Sequence, residues 1–148
     1  MPGSWLANTS ASAWIWQQSN GLPVNVDRTF RTTFDMTGLD LASAVLSGRW
    51  SSDNYGLDIL INGQSTGQTA TGFSSWFGFS VAPGSLVSGI NTLDFVVRDV
   101  GGISGFRAEF LTATANAQSN AVPDGGTTLV LLGGVLFALA VVRRKIAC

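Results

Sequence analysis

The sequence predicts an all-β chain, an antiparallel β-sandwich or jelly roll followed by a linker and one C-terminal transmembrane helix. Three observations predict it. Apolar residues across 5–114 recur with a period of two, and helical periodicity is absent there. Glycine-rich turns separate these short runs, which is the punctuation of sandwiches and barrels. Near the end, the uncharged run 127–142 (TTLVLLGGVLFALAVV) is followed at once by Arg143, Arg144 and Lys145.

Taken in order, a first short strand is expected at 14–17, where Trp14 and Trp16 share one face against Ile15. Val24, Val26, Phe30, Thr32, Phe34 and Met36 then hold one parity while Asn25, Asp27, Arg31, Thr33 and Asp35 hold the other, the pattern of a long half-buried strand. Over 39–50, Ala44, Leu46, Gly48 and Trp50 alternate with Val45, Ser47 and Arg49 in a second strand. The segment 55–61 (YGLDILI) puts Leu57, Ile59 and Ile61 on one face, and Asn62-Gly63 supplies the left-handed pair of a type I′ hairpin turn. Further strands are expected at 76–81, 92–100 and 106–112, with turns at Pro83-Gly84, Ser88-Gly89 and Gly101-Gly102.

These strands make one core of ordinary domain size, placed at 1–111. Residues 112–121 lack large apolar side chains and read as a small-polar linker, able to hold a domain off a membrane without packing on it. The remainder, 122–148, contains the apolar run. As a helix, that run spans roughly 24 Å against a hydrocarbon core of ~30 Å, just enough to insert. It is apolar all round, whereas a core helix of a soluble domain carries a polar stripe. The basic cluster that follows assigns the C-terminus to the cytoplasm and the preceding domain to the far side.

Composition excludes several chemistries. The chain has no His, and its one Cys is Cys148. A Ser-His-Asp triad, a Cys-His pair, a zinc site of Cys and His and an internal disulfide all lack their residues, and no cofactor is expected. Ahead of the tail, five Arg (28, 31, 49, 98, 107) face seven Asp (27, 35, 40, 53, 58, 94, 99) and Glu109, a net charge of minus three. No clustered basic face is available for phosphates, so nucleic acid is excluded as a partner.

Two resemblances add to this reading. Val122-Pro123-Asp124-Gly125, followed directly by an apolar helix and a terminal basic cluster, resembles the C-terminal sorting signals of bacterial exosortase systems, the PEP-CTERM class and its V-P-D-S-G variant, with Gly125 where Ser is usual. Gly125-Gly126 is also similar to the GlyGly-CTERM tail handled by a rhomboid-type protease, but the preceding Val-Pro-Asp favours the first family. The resemblance implies a membrane-embedded exosortase-like cysteine transpeptidase as a partner. It implies a precursor in the inner membrane with its domain outside the cytoplasm, and a cell-surface or extracellular product.

Within the domain, Trp50-Ser51-Ser52-Asp53-Asn54, Asp58-Ile59-Leu60-Ile61-Asn62-Gly63, Asn91-Thr92-Leu93-Asp94 and Gly105-Phe106-Arg107-Ala108-Glu109 resemble the galactose-binding-like β-sandwich often found beside exosortase tails. An exported tail presupposes a secretory leader, and Met1-Pro2-Gly3-Ser4-Trp5 has neither a basic n-region nor an apolar h-region. The expectation is that the reading frame extends upstream into a signal peptide and a further strand.

Candidate sites are few. Trp76 and Phe77 are adjacent and must point to opposite faces of a strand, so one can leave the core and serve as a glycan platform. Asp53, Asn54 and Asp58 place oxygen ligands within six residues, as Ca²⁺ wants, outside EF-hand spacing; Asx-turns account for the same residues. A glycosidase needs two carboxylates across a cleft. Glu109 is the only Glu, and Asp58, Asp94 and Glu109 fall on the parity expected to face solvent. Three functions follow: a non-catalytic exported cell-surface or matrix protein first, a carbohydrate-binding module with an extracellular polysaccharide partner second, and a small glycan hydrolase third. No enzyme activity is expected.

Overall fold

A computed structural model describes residues 4–119 of the chain. Among these residues the regular structure is strand, with two 3-10 turns and no α-helix. In chain order the strands are β1 (Asp27–Asp35), β2 (Val45–Asp53), β3 (Tyr55–Ile61), β4 (Gln64–Ser65), β5 (Ala70–Thr71), β6 (Phe77–Val81), β7 (Ile90–Arg98) and β8 (Gly105–Thr114). One antiparallel sheet has the order β1-β7-β3-β4, with β5 also on β3; the other is β6-β2-β8.

Register follows from which residues each sheet turns inward. Phe95 lies between Phe30 and Ile59 across the first sheet, and Trp50 lies between Phe77 and Ala108 across the second. The Phe95 ring then meets Trp50, Phe79 and Phe106 of the other sheet at centroid separations of 5.4, 5.3 and 5.1 Å. One aromatic side chain therefore touches all three strands of the facing sheet, and such ring pairs add to the stabilisation from area burial alone. Ile59, Ile61, Leu93 and Val97 complete the buried centre. Gly56 is required by this packing, because a Cβ there would stand 2.3 Å from the Trp50 indole.

Period two is visible directly in β1, where exposure alternates residue by residue. Asn62 and Gly63 have φ of 51° and 80°, the left-handed pair expected between β3 and its returning strand. Boundaries differ where side chains compete for backbone groups. Pro23 and the left-handed Asn25 (φ 57°) interrupt the extended chain, so β1 starts at Asp27 rather than near Val24. The strand expected from Leu39 begins instead at Val45, because the Asp40 carboxylate accepts from the Ala42 N–H at 3.0 Å and caps a 3-10 turn over Leu41–Ser43. The run 14–17 makes a single bridge, Ile15 with Phe106, rather than a strand.

The end of the folded unit also lies beyond the expected position. β8 continues to Thr114, Asp40 N–H donates to Asn116 O at 2.9 Å, and Gln118 N–H donates to Gly38 O at 2.8 Å. The compact unit closes at Gln118. Most of the stretch read as linker over 112–121 is thus strand or chain bound to the domain. Thr112, Ala113 and Thr114 fit a pleat whose outer side meets water, and their lack of bulk made them look like linker.

A second correction concerns Asp94 and Glu109. Their expected outward parity would have left them in water, yet they are 2% and 7% exposed. Arg31, opposite Asp94 in register, lays its guanidinium over that carboxylate with contacts of 2.6 and 2.7 Å. Long arginine side chains and the chain before residue 15 cover these positions, so facing away from the core does not mean facing solvent.

Candidate functional site

The ends of β2 and β7 bring together the least compensated polar groups among the described residues. β2 stops at Asp53 and β7 at Arg98; Asn54 N–H donates to Arg98 O at 3.1 Å, and Val100 N–H donates to Asn54 Oδ1 at 2.8 Å. Asp53 and Asp99 therefore flank one backbone crossing, with 6% and 2% of their surface exposed. Oδ2 of Asp99 accepts from the N–H groups of Asn25 and Gly101. Its Oδ1, the Oδ1 of Asp53 and the hydroxyls of Ser52 and Ser104 are buried without a hydrogen-bond partner. Burial pushes the Asp53 carboxyl up to about 6, with the Asp99 charge adding to the effect.

Of the three oxygen-donor candidates in the sequence, only Asp53 stands free. The Asn54 amide oxygen is taken by Val100 N–H. Asp58 accepts from Ile59 N–H at 2.8 Å, Gly67 N–H at 3.0 Å and the Ser65 hydroxyl, so it organises its own hairpin. Among the described residues no group of three or more His, Cys, Asp or Glu side chains is placed to hold a metal. Asp99 took its place beside Asp53 through sheet pairing, which sequence spacing does not encode.

Trp76 and Phe77 do separate to opposite sides. Phe77 packs against the core, while the Trp76 ring lies 4.5 Å from the Arg49 guanidinium and 4.7 Å from that of Arg107. Both arginines bind Glu109, Arg49 at 2.6 and 2.9 Å and Arg107 at 3.1 Å. The Ser12 hydroxyl, at 2.7 Å, and the two guanidinium groups hold the Glu109 carboxyl below its ordinary range. The indole is thus one layer of an Arg–Glu–Arg cluster, and its ring is engaged by cation–π contact.

A separate cleft of about 550 Å³ opens beside Trp14, Ile15 and Trp16, with Gln18, Asn20 and Ile103 on its rim. The indole N–H of Trp14 donates to Leu6 O at 2.7 Å and that of Trp16 to Pro23 O at 3.1 Å, which fixes both rings. This pairing was visible in the sequence as two tryptophans of one parity; the loop that faces them was not.

The tail candidates, Val122, Pro123, Asp124 and Gly125, the run 127–142 and Arg143, Arg144 and Lys145, lie outside the described residues. Among the described residues no helix is long and apolar enough to cross a membrane. Comparison with known families identifies the tail: residues 121–146 match the VPDSG-CTERM motif. The chain carries a C-terminal sorting signal of that kind. No curated protein and no solved structure matches it, so the galactose-binding-like resemblance of the domain finds no relative there.

Proposed function

We propose that this is a non-catalytic exported protein of the cell surface or extracellular matrix, delivered through its C-terminal signal and presenting a β-sandwich of the galactose-binding-like kind. The observation that carries the reading is the match of 121–146 to a sorting motif. In this reading the run 127–142 crosses the inner membrane in the precursor, the basic residues stay in the cytoplasm, and an exosortase-like enzyme processes the chain next to Val122-Pro123-Asp124. The disposition of the carboxylates supports a non-catalytic domain. Asp94, Glu109 and Asp27 are held by arginines and Asp58 by its own hairpin, so none of these is available as a general acid or nucleophile.

Pro123→Ala combined with Asp124→Ala tests it. A plain anchor needs only length, apolarity and flanking charge, so the double variant would keep the mass and membrane partition of the parent protein. A sorting signal also needs its short motif. The expected result in the native host is an unprocessed precursor held in the inner membrane; identical mass and partition for the two proteins would remove the sorting reading.

The cleft beside Trp16 favours carbohydrate binding as a second reading, since a half-buried indole fixed by its N–H, with amide side chains on the rim, suits stacking against a sugar ring. Trp16→Ala should abolish retention on an immobilised extracellular polysaccharide from the host. Unchanged retention, or none by the parent protein, would remove it.

A further inference from the structure

We propose that the outer edge of β8 pairs with the same edge of a second copy of this chain, antiparallel, about a two-fold axis between Leu111 and Thr112. The inference stands apart from the sorting and carbohydrate readings. It begins with coverage. β8 pairs with β2 on one side, and on its other side the described residues meet it only at Phe106, which exchanges both backbone hydrogen bonds with Ile15 at 2.9 Å. From Phe110 to Thr114 every residue is exposed, whichever face its side chain takes, and Leu111 reaches 62%. Past Thr114 the chain bonds to the segment that leads into β2, where Asp40 N–H donates to Asn116 O and Gln118 N–H to Gly38 O. The outer edge is left open.

The shape of that edge selects its partner. Leu111 is the extra residue of a bulge, since Gly48 lies opposite Phe110 and Ser47 opposite Thr112. Phe106 turns its side chain to the core and its backbone groups to Ile15, so Ala108 and Phe110, of the same parity, also direct N–H and C=O outward. Beyond the bulge Ala113 takes over that direction, because Phe110 and Ala113 line one depression with Phe34 and Leu46 at the seam between β1 and β8. Two residues instead of one separate these outward groups. A regular strand offers its pairing groups at every second residue and falls out of step here. An antiparallel copy has the same irregularity: Phe110 meets Ala113 of the copy, Leu111 meets its Thr112, and the spacing matches on both sides.

Charge points the same way. Nothing in 110–114 (FLTAT) is charged, so the two-fold brings no like charges together. β1, the other sheet edge at this seam, is guarded by contrast. Two-fold pairing about Arg31 would set Arg31 against itself and Asp27 against Asp35. In the β8 pair, Leu111 gains a β-branched neighbour on the outer face, and on the seam side the large Phe110 lies beside the small Ala113. Five residues a side make a small contact, so association should be reversible and follow concentration.

Sedimentation equilibrium of the full chain in detergent micelles tests this. The parent should pass from monomer to dimer as concentration rises. Leu111→Lys and Leu111→Glu each set like charges beside the axis and should weaken the dimer at least about tenfold, while an equimolar mixture of the two recovers it. Thr33→Lys, on β1, should leave it unchanged. Association driven by the run 127–142 would persist undiminished in Leu111→Lys, and that result would overturn the proposal. So would a parent protein that stays monomeric up to about 1 mM, or a mixture as weak as its two components.

Discussion

Arg107 and Glu109, two residues apart on β8 and both on the side of the sheet turned away from the core, form an ion pair closed to solvent: Nη2 stands 3.1 Å from Oε1, with side chains 1% and 6% exposed. What closes it is the chain before residue 15. Arg107 also donates to the carbonyls of Leu6 and Ala7, to Thr9 Oγ1 at 3.1 Å and to Ser12 Oγ at 2.7 Å. Trp5 and Trp14 lie over Gly105, where a Cβ would come within 2.5 Å of the Trp5 ring.

Arg107→Ala should therefore do more than remove a charge. It removes one donor from each of two carbonyls and two hydroxyls, of which Leu6 O keeps the Trp14 indole N–H and Thr9 Oγ1 keeps backbone N–H groups, and breaking one side of a buried pair costs roughly 3–5 kcal/mol. Arg107→Lys should recover only part of this, since an ammonium cannot reproduce the guanidinium fork. Urea unfolding gives the loss, and hydrogen exchange should show residues 5–14 released before the sheets. Equal protection of 5–14 in parent and Arg107→Ala would refute the role.

Acid and base limbs of the stability curve should have different owners. Arg31 lowers the Asp94 carboxyl, and Ser12 with Arg49 and Arg107 lowers Glu109; their contribution is complete above the ordinary values of 3.8 and 4.5 and is lost as pH falls below them. Asp53 acts in the opposite sense. Its carboxyl is raised from 3.8 to about 6, so the folded state holds this proton more tightly, and stability drains away as pH rises across that interval. Between 4.5, above which the Glu109 contribution is complete, and about 6, unfolding free energy should decline with rising pH in the parent and stay level in Asp53→Asn. A parallel decline in both would assign the effect elsewhere.

Gly56→Ala should overpack the core, because the new methyl meets the fully buried Trp50 ring at 2.3 Å. The expected loss is about 1–3 kcal/mol. Gly84→Ala, where a Cβ meets nothing within 4 Å and no left-handed φ is involved, serves as the comparison and should be close to neutral. Equal losses at the two sites by thermal unfolding would argue against the Trp50 contact.

Much of the strand content was open to reading from residues alone. Alternation along 27–35, the inward set Ile59 and Ile61, and Asn62-Gly63 are local patterns, and a pleated strand converts sequence parity into a face without help from the rest of the chain. The sorting tail was equally legible, because the motif matched over 121–146 is a linear order of residues and does not depend on how the rest of the chain folds. Asp40 shows where local reading stops, since its carboxylate captures the Ala42 N–H and delays β2 to Val45 against an alternation that began earlier.

Tertiary structure alone decided what the charges do. Parity told which side of a sheet Asp94, Glu109 and Arg107 occupy, but burial depends on what lies above that side, and Arg31 and the first residues of the chain arrive there from far along the sequence. The pairing of Asp53 with Asp99 has the same origin. Forty-odd residues separate them, and only the pairing of β7 with β3, with Asn54 bonded to Arg98 and Val100, brings the ends of β2 and β7 to one place, where no arginine bonds either carboxylate. Side-chain direction is a property of the local backbone, whereas desolvation is a property of everything folded around it.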